Sequence, residues 1–166
     1  MIINTASHSD SMTHLTKYSF GATSAIATSL AFIVSLSGSP APRTPIIGAL
    51  LVLAVADNIT DSLGIHVFQE SDLKSQSTVN ASTLSNFATR LVLVLSFVAL
   101  VYLLPIGVAV AASIAWGVSI LVTLSYLIAT EQKADPTRAI LQHVAIAALV
   151  VVSSLVMRDW ITTIFP

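Results

Sequence analysis

The sequence predicts an all-α integral membrane protein, a bundle of five transmembrane helices with its N-terminus in the cytoplasm. Composition is the first reason: 55% of the 166 residues are hydrophobic and 9% are charged, against about 25% charged in a soluble domain. Too few ionic groups remain to clothe a water-facing surface, and the mean hydropathy of +0.88 agrees. The second reason is pattern, since five apolar stretches of spanning length are separated by short polar turns. The third is the uneven placement of Lys and Arg about those stretches.

A spanning helix needs about 20 mainly apolar residues. The first span is expected over 18–37, after a polar cytoplasmic tail, 1–17, that includes His8, Asp10 and His14. It has no compact basic leader and no small-residue cleavage site, so it reads as a retained helix. The turn from Gly38 to Arg43 leads to a second span over 45–68. A polar stretch rich in Ser, Thr, Asn and Gln follows. The third span begins between Ser82 and Arg90, drawn as 84–104, and Pro105 and Gly107 break it from the fourth, 106–129. Without that break Leu91 to Ala129 would form one helix of about 58 Å, far longer than a bilayer is thick. A charged loop, Thr130 to Thr137, precedes the fifth span, 138–157, and Arg158-Asp159-Trp160 then marks an interface.

With five spans, Lys17, Lys74, Arg90, Lys133 and Arg138 share one side, and Arg43 and Arg158 the other. The richer side is the cytoplasmic one, which puts the N-terminus inside and the C-terminus outside. No organelle signal is visible, so the cell membrane is the expected location. The net charge of −1 gives nucleic-acid binding no electrostatic support. The absence of cysteine removes disulfides, thiolate metal sites and thiol catalysis. With no phosphate loop, nucleophile elbow or HExxH motif, no enzymatic activity and no resident cofactor are expected.

The second span carries the chemistry. Asp57 and Asp61 lie four residues apart in an apolar run, which stacks them on one helix face near the middle of the membrane. A charge at that depth costs about 2.5–3.5 kcal/mol on the insertion scale. With Arg90 and Arg138 counted at the cytoplasmic side, no Lys or Arg is expected inside a span to pair with them. The carboxyls are then either neutral and hydrogen-bonded to Asn58, Thr60, Ser62 or hydroxyls of the first span, or they receive a proton or cation from outside. With Asn58 beside them they offer an oxygen-rich shell suited to a divalent ion. His66 and Glu70, again four apart, could collect metal at the cytoplasmic end together with His143 of the fifth span; the alternative is ordinary interfacial polarity. Ser24 and Thr28 stripe the first span with other small residues, as helix packing alone would also require.

Two stretches resemble the vacuolar iron transporter family of divalent-metal/proton antiporters: Lys17 to Thr28, and Ala56-Asp57-Asn58-Ile59-Thr60-Asp61-Ser62-Leu63-Gly64-Ile65. The resemblance implies five helices, a cytoplasmic N-terminus and a homodimer whose first two helices line the pore. It also implies an Fe2+ or Mn2+ cargo exchanged for protons. It assigns translocation to Asp57 and Asp61, and pore lining to Thr28, Gly64 and Ile65. The family's helix-one acid falls on Ser24 and its methionine on Ile65, and its metal-binding domain between helices two and three has no counterpart. A non-transporting membrane scaffold or assembly subunit is the alternative function.

Overall fold

The computed structural model describes the backbone of residues 6–71 and 76–164, and the side chains from Gly21 onward within them except those of residues 71, 76 and 78. The described chain is helical apart from short turns, with α1 at Ala6–Leu36, α2 at Arg43–Val52 and α3 at Asn58–Ser71. Then follow α4 at Gln76–Leu103, α5 at Ile106–Glu131 and α6 at Pro136–Ile164. A five-residue π-helix, Leu53–Asp57, joins α2 to α3 without a break, so the two act as one long rod.

Four helical runs are long and apolar enough to cross a membrane: Arg43–Glu70, Val79–Leu103, Ile106–Glu131 and Pro136–Ile164. Within α1 the apolar part with described side chains is shorter, Gly21–Leu36. That segment is nevertheless the hub, packing against α4, α5, α6 and α2. Ala25, Ile26, Ser29, Leu30 and Ile33 are fully buried along it. Lipid tails are as apolar as Leu, so close packing rather than exclusion from water holds such helices together. Small residues make it possible. On α5 the buried positions recur every fourth residue, from Ala109 through Ser113, Gly117, Leu121 and Ser125 to Ala129, a ridge of small side chains that a neighbouring helix can approach closely.

The turns follow local chemistry. Pro105 ends α4 as expected, and Arg43 donates to the freed Leu104 carbonyl at 2.9 Å. Asp135 and Pro136 start α6, the Asp135 carboxylate accepting from the Thr137 amide at 2.9 Å, an N-cap followed by proline in the first turn. In three places a helix extends beyond the expected span. The helix of the first span starts at Ala6, inside the expected tail. The third span's helix begins at Gln76, so the polar stretch before Arg90 is itself helical. The last helix runs seven residues past Met157, through the supposed interface marker. Arg158 pairs there with Asp159 at 2.9 Å and lies over Gly38, just past the end of α1. Lys74 lies outside the described residues, as does the side chain of Lys17.

Candidate ion-binding site

The π-helix sets the site. The Asn58 amide reaches back five residues to the Leu53 carbonyl, opening one wide turn immediately before the acids. Such turns occur often at functional sites. Asp57 is the last residue of that turn and Asp61 lies one turn on. In the 28-residue run Arg43–Glu70, fourteen residues end at Ala56 and fourteen begin at Asp57, so the acid stands at the middle.

Opposite them is Arg90, in the middle of the 25-residue run Val79–Leu103. Its two terminal nitrogens divide between the acids: Nη2 donates to Asp57 Oδ2 at 2.5 Å and Nη1 to Asp61 Oδ2. The expectation that no basic side chain sits within a span to neutralise the acids is therefore overturned. Arg90 also leaves the cytoplasmic loop tally, which then stands at Lys17, Lys74, Lys133 and Arg138 against Arg43 and Arg158 and keeps its sign. The Arg90 side chain is 1% exposed, while Asp57 is 43% and Asp61 31% exposed. With both acids ionised, the cluster carries one net negative charge.

The surroundings were not foreseen. Arg90 runs past Gly21 of α1, where an added Cβ would collide with the Asn86 side-chain oxygen and crowd the Arg90 stem. Asn86, one turn before Arg90, donates to Ser62 Oγ at 3.4 Å. Asn58 is wholly buried and donates to the Phe87 carbonyl at 2.8 Å, so its amide faces α4. Gln69 donates to Ser82 Oγ at 2.8 Å. Four buried polar atoms here lack a partner: Asn58 Oδ1, Asn86 Oδ1, Gln69 Oε1 and Arg90 Nε. The available signal was the four-residue spacing of Ser82, Asn86 and Arg90, which puts them on one face of α4.

The remaining predicted residues divide. Asp61, Gly64 and Ile65 line one cavity of about 520 Å³ with Thr60, Phe68, Gln69, Ser82 and Asn86. His66 lines a different one, of about 560 Å³, with Ser62, Thr83 and Phe87. Nine residues turn an α-helix by about 180°, so His66 and Glu70 stand on the opposite side of α3 from Asp57 and Asp61. His66 Nε2 lies 3.4 Å from Glu70 Oε1, and its Nδ1 3.4 Å from Thr83 Oγ1. His143 is not drawn into that pair. It contacts Ser125 Oγ of α5 at 3.0 Å and the Ala139 carbonyl at 2.9 Å. The Thr28 hydroxyl is spent on the Ser24 carbonyl of its own helix, at 2.8 Å, and Ser24 is half-buried. Among the described residues no three His, Asp or Glu side chains converge as a metal cage.

What the geometry offers is a two-carboxylate, one-guanidinium cluster at mid-span, open on the acid side and closed on the arginine side. Compared with known proteins, the chain gives no significant match to any family model, curated protein or solved structure.

Proposed function

We propose that the chain is a membrane transporter of cations, in which Asp57 and Asp61 bind the cargo in exchange for protons. One observation carries this reading: two partly exposed carboxylates at the middle of an apolar span share a single guanidinium. Intramembrane acids are costly, and when retained they mark ion and proton pathways. The resemblance to vacuolar iron transporters supplies the cargo, Fe2+ or Mn2+, and the direction, out of the cytoplasm. In this reading α1 makes the fifth crossing, Lys133 and Arg138 mark the cytoplasmic side, and the protein resides in the cell membrane. A homodimer covers the exposed acid face, as the same resemblance implies. His66 lines a second cavity and Glu70 pairs with it, so any metal they gather does not meet Asp61 directly.

Flux of Mn2+ and Fe2+ in proteoliposomes tests the proposal. The intact protein should carry metal, faster under an opposing proton gradient, and Asp57→Asn should abolish flux without loss of the folded protein. Unchanged flux in that variant would remove Asp57 from the mechanism. The closed ion-pair network favours one other reading, a non-transporting scaffold in which the cluster is interhelical glue. Absence of flux for every metal, with the protein intact, would select it.

A further inference from the structure

We infer that Arg90 is a tethered stand-in for the cargo: its guanidinium holds Asp57 and Asp61 while no ion is bound, and an arriving cation displaces it. This rests on the transport reading above and adds a residue that sets affinity and charge selection.

Four observations support it. First, among the described residues only the two acids hold the head of Arg90; both bonds run to carboxylate Oδ2 atoms, and Nε is buried without a partner. A guanidinium carries five N–H donors in a fixed fork, so part of this one's capacity is unused. Second, the pair is accessible from the side away from Arg90, since the acids are partly exposed and the arginine is not. A cation can therefore approach the carboxylates without first removing the arginine. Third, an acceptor waits one turn away on the same helix: Asn86 Oδ1 is buried and has no donor. A guanidinium that let go of the acids would satisfy that oxygen. Fourth, the missing side chain at Gly21 lets the Asn86 oxygen and the Arg90 stem lie side by side against α1: a Cβ there would come within 2.0 Å of the one and 3.3 Å of the other. Unpartnered donor and acceptor thus lie together in one state and can pair in the other.

Charge arithmetic gives the consequence. With Arg90 engaged the cluster has a charge of −1, matched by one proton or one monovalent cation. Freed of it, the pair has a charge of −2, matched by a divalent ion. Apparent affinity for a divalent ion is then reduced by the fraction of molecules in which Arg90 still holds the acids.

The test is Mn2+ binding to the purified full-length protein in detergent, by titration calorimetry. Arg90→Gln should bind Mn2+ about ten-fold more tightly than the intact chain, and Arg90→Lys, with a single point charge, should fall between. Asn86→Ala should weaken binding in the intact background and have no effect beside Arg90→Gln, a dependence that a purely structural arginine would not produce. If Arg90→Gln does not fold, Arg90→Lys alone carries the comparison, and affinity equal to that of the intact chain overturns the inference. Equal or weaker binding in a folded Arg90→Gln also overturns it, while Mn2+ flux by the intact protein would leave the transport reading standing. Failure of both the intact chain and Arg90→Gln to bind or carry any metal would remove the displacement and the transport reading together.

Discussion

Asn58 sits beside Asp57 in sequence yet works on a different surface. Its side chain is wholly buried and its hydrogen goes to the Phe87 carbonyl, which ties the start of α3 to α4. Asn58→Ala should therefore lower stability by about 0.5–1.5 kcal/mol, the usual contribution of one hydrogen bond. It should leave Mn2+ affinity unchanged; thermal unfolding in detergent and calorimetry on the same sample measure the two effects separately. The acids themselves were legible, because carboxylates inside an apolar run stand out against their neighbours. Arg90 was not. It is the last charged residue before the run from Leu91 to Leu104, so hydropathy alone puts it at a border. Its true position depends on Ser82, half-buried, and Asn86, buried, being helix residues, which composition reads as loop.

At the scale of helices, two glycines make opposite predictions. A Cβ at Gly21 would strike the Asn86 amide, itself held against Ser62. A Cβ at Gly117 would meet Ile26 Cγ2 at 3.0 Å and Leu30 Cδ1 at 3.1 Å, a far smaller overlap than at Gly21. Gly21→Ala should therefore destabilise the α1–α4 contact markedly more than Gly117→Ala disturbs α1–α5, with melting temperatures in detergent giving the order. The break at Pro105 was readable because proline cannot donate to the turn before it. The run of α6 to Ile164 was not, because Arg158-Asp159-Trp160 has the composition of a membrane border. There Arg158 pairs with Asp159 and lies beside Gly38.

The whole molecule has a one-sided problem of burial. A single copy leaves Asp57 partly exposed at the middle of a spanning run, beside Ala56, Thr60 and Gly64. Lipid cannot solvate that charge, and small residues suit a close helix contact. In the proposed homodimer this face is the seam. The chain has no cysteine, and a Cβ at Gly64 meets nothing within 4 Å, so Gly64→Cys should be tolerated and should cross-link between copies in native membranes. Gly107→Cys, equally unobstructed on α5, should not. Cross-linking at both or at neither would argue against this seam. The helical, lipid-soluble character of the protein followed from composition alone, whereas the choice of outward face depended on which side of α3 the other helices left uncovered.

The wide turn at Leu53–Asp57 has a consequence for ancestry. A π-turn holds one residue more than the α-helical turn it replaces. A homologue lacking that residue would keep both flanking helices in register only by rotating everything after it about 100° round the axis. Its acids would then look toward a different neighbour and away from the arginine. Where the insertion is present or missing in a lineage, the guanidinium and the carboxylates should be gained or lost together.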